Sequence, residues 1–486
     1  MIDLNALTNM DVYPASISEA DGVTYFLGRR GGEKFVGSVG RGRTCGQVVS
    51  HAQSAPIIVG PADHNNAMII RHVLPWTAPS VIGMATSAGL GDRLGLATPG
   101  HIRAVLGTGI RPFLAQQSIR EMTRTQRSPD EVMDCATWGV FQAGWRAGFG
   151  SDADHLQEFE GIDATVAAGF TMFTIDPGKH VNNAADTMDA SSLLAACGKL
   201  DFETLGITLA RLEKEYIRGP IGLAGGGWIE FDELTPLRAL IKYGNAVAHT
   251  ARMYRYLRKT CDRPFELEVS VDETDSPTTP AEHYFFAAEL QRLDVKWVSM
   301  APRFIGRFEK GVDYIGDREA FAASFKAHVA VMRTLGPYKM SIHSGSDKFS
   351  IYPIVAELTD GAVHLKTAGT SYLEALRAIA KIEPDLFRAI YEFALGRYEA
   401  DKASYHVSAD LRKVAPADRL HDSQLPGLLD DFDARQVLHV TFGSVLTADG
   451  GGRFKNSMMT ALKGSEEVYY EVLEKHLGRH VKPFVK

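Results

Sequence analysis

Histidines and carboxylates crowd the places where short apolar runs of this sequence end. Asp63-His64-Asn65-Asn66 follows one run, Asp92-Arg93 lies in a glycine-rich stretch after another, and Gln116-Gln117 closes a third. Asp152-Ala-Asp154-His155, Asp176-Pro-Gly-Lys179-His180, Ser341-Ile-His343-Ser-Gly-Ser-Asp347-Lys348 and His364-Leu-Lys366-Thr367 complete the set. Three imidazoles among them, His155, His343 and His364, stand at predicted strand ends. Three imidazoles with water or a carboxylate form the donor set of a catalytic divalent cation (Zn, Mn, Ni or Co) that keeps an open position. No HxH or HxxxH spacing picks these three, so His64 and His101 are substitutes for any one of them. A single histidine more often makes a structural hydrogen bond; shared placement at strand ends is what raises this set. His476 and His480, four apart on a C-terminal helical stretch, read as solvated.

The carboxylates carry the second signal. Asp154 beside His155 would place an acid/base group next to a metal ligand. Neighbours on an extended strand point oppositely, so both reach one site only if the chain turns there; the glycines and aspartates of Gly148-Phe-Gly-Ser-Asp-Ala-Asp154 allow a turn. Between 265 and 272, Glu266, Glu268, Ser270 and Asp272 alternate with Leu267, Val269 and Val271. The apolar face suits outer helices, and the acidic face then points inward, where carboxylates need a cation, a proton or basic partners. The competing reading is a row of salt bridges on an exposed strand. Arg303, Lys348 and Lys366 follow predicted strands and are candidates for a substrate carboxylate or phosphate, against ordinary surface pairing. The Gly225-Gly-Gly227 loop lacks the Lys-Ser/Thr of a phosphate loop and is weak evidence.

Elements that could position these groups alternate along the chain. Apolar runs at 56–60, 80–84, 111–115, 169–174, 265–270, 295–300, 339–343 and 362–365, with the end of another near 148–150, are separated by helix-period stretches. Strands alternating with helices predict a parallel α/β sheet. Eight or nine runs with no GxGxxG after the first favour a TIM-barrel-like (β/α)8 fold over a dinucleotide-binding sheet. Ser128-Pro-Asp-Glu131 and Thr279-Pro280-Ala-Glu282 are helix-opening capping boxes. The predicted division is a small N-terminal cap over 1–50, a barrel over 51–180 and 263–445, a helical insertion over 181–262, and a helical tail over 446–486.

Composition bounds the function. The 486 residues are 45% hydrophobic and 23% charged, the balance of a globular chain with ample core material. A formal net charge of −7 offers nothing to pull the chain onto nucleic acid, so an anionic ligand must be met by a few local cations. No leader-like N-terminus or membrane-length apolar run is present, and four scattered cysteines form no CxxC pair. The expectation is a cytoplasmic protein with no membrane partner; a homo-oligomer is left open.

Six stretches carry a family resemblance: Gly91-Asp-Arg-Leu-Gly-Leu-Ala-Thr-Pro-Gly-His101, Gly150-Ser-Asp-Ala-Asp-His155, Gly169-Phe-Thr-Met-Phe-Thr-Ile-Asp-Pro177, Val269-Ser-Val-Asp-Glu-Thr-Asp275, Ile342-His-Ser-Gly-Ser-Asp-Lys-Phe349 and Lys366-Thr-Ala-Gly-Thr-Ser-Tyr-Leu373. They resemble the tagaturonate epimerase family of bacterial hexuronate catabolism over most of the chain, from about 50 to 450. The resemblance implies a TIM-barrel-like fold and a divalent-metal-dependent epimerase converting D-tagaturonate to D-fructuronate, with a small sugar acid as partner. It also implies that Asp154 and His155 are the acid/base-plus-ligand pair and that His343 is another ligand. Strand position adds His364 as the third ligand and Glu268 as the proton donor. The carbon to be inverted is β to the ketone, which favours retro-aldol cleavage and re-addition over α-deprotonation. A metal-dependent aldolase or ketose isomerase on the same barrel, and a non-catalytic sugar-acid binding protein, are the alternatives; product analysis and chelation separate them.

Overall fold

The protein is described here by a computed structural model covering residues 2–485. The alternation over 265–272 becomes a fully buried strand, Glu266–Val271, with Leu267, Val269 and Val271 in the main apolar core. It is the fifth of eight strands closed into a parallel barrel. In chain order these are β1 (Ser87–Gly89), β2 (Arg111–Ser118), β3 (Gly150–Leu156), β4 (Met172–Ile175), β5 (Glu266–Val271), β6 (Ser299–Pro302), β7 (Lys339–Ile342) and β8 (Val363–Lys366). Each pairs in parallel with its chain neighbours, and β8 closes on β1 with His364 opposite Ser87 and Lys366 opposite Gly89. The fold is a (β/α)8 barrel.

The outer helices begin where the sequence says they should. Ser118, Ser128 and Thr279 each cap a helix reciprocally with a glutamate three residues on, satisfying amides that would otherwise lack partners. The helix Pro129–Ala143 ends where Gly144 turns the chain left-handed at φ 62°.

Three boundaries differ from expectation. The run at 56–60 belongs to strand Ala55–Pro61, which pairs antiparallel with Glu33–Val39 and Gln47–Ala52 in a separate six-stranded N-terminal sheet. The N-terminal unit therefore continues past residue 50, and an apolar run alone does not say which sheet it will join. The run at 80–84 is a loop under the barrel, where the Gly83 amide donates to Glu266; the first barrel strand follows it. The 181–262 segment is only partly an insertion. Short helices and a small hairpin fill its first part, but its last helix, Thr235–Thr260, packs on the Pro280–Arg292 helix as the barrel's own crossover between β4 and β5. The tail helix Glu466–Val481 lies against the helices Thr98–Val105 and Thr370–Ile382. No helix among the described residues is long and apolar enough to cross a membrane.

Candidate active site

Inward side chains fill the barrel in layers. Low in the barrel, Lys339 Nζ donates to Ser87 Oγ at 2.9 Å, and Ser87 Oγ meets His364 Nδ1 at 2.9 Å. Above them lies a charged layer. Lys366, two residues beyond His364 and so on the same face of β8, reaches Asp152 at 2.8 Å, Asp154 at 2.6 Å, Glu268 at 2.7 Å and Thr174 Oγ1 at 2.9 Å. Burial works against the ammonium, yet three carboxylates hold its pKa well above the usual lysine value. Asp154 feels the converse. Burial pushes it up, but Lys366, His155 and His343 keep it below the usual carboxylate range.

The turn required at Asp154-His155 is present. Ala153 pairs with Phe173 and Leu156 with Ile175, so β3 carries one extra residue there, and His155 takes a left-handed φ of 52°. A bulge of this kind re-aims side chains, and it brings both residues to the mouth. His155 Nδ1 lies 3.3 Å from Asp176, which also accepts from Gln157 and the Gly178 amide. His155 Nε2 is left 3.8 Å from Asp154. Just past β7, His343 sits between Glu268 (2.7 Å from Nε2) and Asp272 (3.1 Å from Nδ1), and its ring meets that of His155 edge-on at 5.1 Å. Burial favours neutral rings, but the carboxylates, led by Asp154 for His155 and Asp272 for His343, raise them to about 10 and 9.

Above this floor opens a cavity of about 560 Å³, within the range small-molecule sites occupy. Asp154, His155, Asp272, His343 and Lys366 line its base, and Arg303, Lys310 and the 405–408 segment line its walls.

Several expected residues do other work. His364 is fully buried in a T-shaped contact with Phe113, a layer below the other two imidazoles; its parity points it inward, but its place along the barrel axis is too deep. Lys348 is 0% exposed and donates to the carbonyls of Glu309, Val312 and Ser346 at 2.6–2.9 Å. No substrate carboxylate reaches it. Lys366 lines the cavity, but its charge is taken up by three acids. Arg303 is the candidate cation that stays on the cavity wall. Glu268 lies beneath His343 and Lys366, also accepting from Ser299. Of the substitutes, His101 is buried against Ser371, and His64 faces Asp134.

His476 and His480 are buried rather than solvated. With Asp347 they form a group whose ligand atoms lie within 4.8 Å of one another. Those atoms are already committed. The Asp347 amide donates to His480 Nε2, His476 faces Asp347 and Glu374 with its two ring nitrogens, and Arg435 pairs with both acids. The cluster ties the tail helix to the loop after β7. Burial pushes Asp347 up, but Arg435 and the two histidines hold it well below the usual range. A depressed carboxylate stabilises the fold above its unfolded pKa of about 4 and loses that contribution as pH falls through the lower folded value. Asp347→Asn is therefore expected to cost about 3–5 kcal/mol at pH 7. The gap to the parent should narrow below about pH 4 in melting curves; a gap independent of pH would contradict this account.

Sequence reasoning missed the roles of Asp176, Asp272, Asp152 and Lys310. Asp176 and Asp152 belong to the strand-end set, and Asp272 shares the inward parity of Glu268. Lys310 had no such signal, because it sits mid-loop after β6.

A barrel with paired acids and imidazoles at the C-terminal ends of its strands defines a (β/α)8 enzyme with an acid/base site in its mouth. The tagaturonate epimerase family model matches residues 13–484. A tagaturonate/fructuronate epimerase of Thermotoga maritima is 42% identical over 475 residues, covering 97% of this chain and 96% of its own. Two crystal structures of the fructuronate-tagaturonate epimerase of Cohnella laeviribosi, native and with one glycerol, match at a TM-score of 0.92 and 36% identity, over 99% of this chain and 97% of theirs. The chain belongs to the tagaturonate epimerase family and is a carbohydrate epimerase.

Proposed function

We propose that the enzyme interconverts D-tagaturonate and D-fructuronate by retro-aldol cleavage and re-addition, with Asp154 and Glu268 as the proton-handling pair. The observation that carries this is the joint hold of Lys366 on Asp154 and Glu268 at 2.6 and 2.7 Å beneath a cavity of sugar size. One carboxylate takes the proton of the hydroxyl on the carbon to be inverted. The C–C bond on its ketone side breaks, and the electron pair passes into the ketone fragment as an enediolate. The aldehyde fragment turns, the same bond re-forms on its other face, and Glu268, which lies below the cavity floor, supplies the proton to the new alkoxide by way of Lys366, 2.7 Å from it and itself lining the cavity. Lys366 keeps both acids ionised between turnovers and stands where proton exchange between them is shortest.

The donor set also fits a divalent cation. Asp152, Asp154, Asp176, Glu268 and Asp272 surround a single ammonium and two imidazoles, a surplus of negative charge that burial makes costly. Asp176 orients His155 as a carboxylate partner orients a metal-bound imidazole. His155 and His343 with Asp272 would hold the ion, each imidazole exchanging a present carboxylate contact for it, and the ion would supply Lewis acidity for polarising the ketone. Arg303, on the cavity wall, is the candidate for a fixed contact to a substrate oxygen.

Product NMR on each keto-uronate in heavy water tests the reaction. Both epimers should appear from either, and the inverted carbon should keep its original hydrogen, because no C–H bond there is broken. Deuterium entering that carbon at the rate of turnover would refute cleavage and re-addition.

A further inference from the structure

An anionic substrate entering an acid-lined mouth needs a cation that is not already neutralised. Lys366 is committed to three carboxylates. Arg120 faces Glu273 at 3.6 Å and Arg307 faces Glu309 at 3.4 Å. Lys310 differs. Among the described residues no carboxylate oxygen lies within 4.0 Å of its Nζ, which donates only to Ser344 Oγ at 2.7 Å. Its loop is held in place from behind. Lys348 binds the carbonyls of Glu309 and Val312 on either side, and the Glu309 carboxylate is turned away to Ser408 and Gln436. Ser344 follows His343 in the chain, so Lys310 stands beside the reacting centre.

That position matters for the chemistry. In both keto-uronates the carboxylate sits on the carbon next to the one inverted. Cleavage therefore splits the six-carbon acid into a three-carbon aldehyde acid, which carries the carboxylate, and the enediolate of dihydroxyacetone. The fragment that must turn is the charged one.

Resting on the reaction proposed above, we infer that Lys310, with the Ser344 hydroxyl, grips the substrate carboxylate and is the pivot about which the aldehyde fragment turns. An ammonium is a compact charge that accepts a rotating partner, whereas a guanidinium binds a carboxylate in a fixed two-pronged geometry. Arg303, also on the cavity wall, has no carboxylate within 4.0 Å among the described residues, but its fork suits a fixed contact rather than a pivot.

Lys310→Met should raise KM for both keto-uronates by roughly 30-fold or more. It should affect the corresponding neutral ketohexose, as substrate or competitive inhibitor, far less. It should also leak the three-carbon aldehyde acid and dihydroxyacetone, trapped by borohydride reduction and absent from the parent. Lys310→Arg should restore KM but not kcat. Equal losses on charged and neutral sugars, or full recovery of kcat by arginine, would overturn the assignment. Glycerate, which mimics the turning fragment, supplies a readout without turnover. Its affinity by calorimetry should fall at least about 10-fold in Lys310→Met, and unchanged affinity would overturn the grip. If the parent turns over neither keto-uronate, the reaction is wrong, and glycerate still reports on Lys310 by itself.

Discussion

Asp154→Asn and Glu268→Gln are each expected to lower kcat by roughly 100-fold or more, the range that general acid–base groups contribute. The substitutions keep shape and remove charge, so metal content should change little by comparison, while melting temperature should fall because each breaks a buried ion pair with Lys366. Asp154 accepts from Gln116 as well as Lys366, and an asparagine amide at that place can keep one of these contacts. Glu268 is the more exacting case, because it links Lys366, His343 and Ser299. If Glu268→Gln empties the metal site while Asp154→Asn does not, Glu268 is a ligand rather than a proton donor. If either variant retains near-parental kcat, the carboxylate pair is not the proton-handling machinery.

The second large effect concerns the cation. Protein stripped with a chelator should lose roughly 1,000-fold in rate, equivalent to about 4 kcal/mol of transition-state stabilisation, and recover on adding Zn, Mn, Ni or Co. His155→Ala and His343→Ala should lower bound metal well below one ion per chain by elemental analysis. His364→Gln should leave metal stoichiometry intact, since His364 is engaged with Ser87 a layer below. The Asp347, His476 and His480 cluster makes a contrasting control: His480→Gln should cost stability without changing metal content, because His480 Nε2 already accepts the Asp347 amide. Full turnover by a metal-free sample would rule out the cation.

Much of the barrel is legible in the sequence. The strand at Glu266–Val271 announced both its faces, the capping boxes at Ser128 and Thr279 placed two helix starts, and the strand-end histidines and acids pointed at one mouth. The errors share a cause. Inward parity is a local property, but depth along the barrel axis depends on how eight strands stagger against one another. His364 and Lys366 have the same parity and similar sequence signals, yet one reaches the acids of the floor and the other lies below them. Lys348 follows a strand as an exposed cation would, but the return of the loop after β6 buries it under three carbonyls.

Sequence alone thus determined what repeats locally: alternation along strands, caps at helix starts, the α/β order and the crowding of imidazoles and carboxylates at strand ends. Tertiary structure alone decided which of those groups meet. The bulge at His155 sets two adjacent side chains on one site, and barrel closure sets Lys366 of the last strand among acids of the third and fifth. It also buries His476 and His480 against Asp347, some 130 residues away in the chain. These pairings are decided by strand stagger and by the cost of burying charge without a partner, and neither is written in the spacing of residues along a single element.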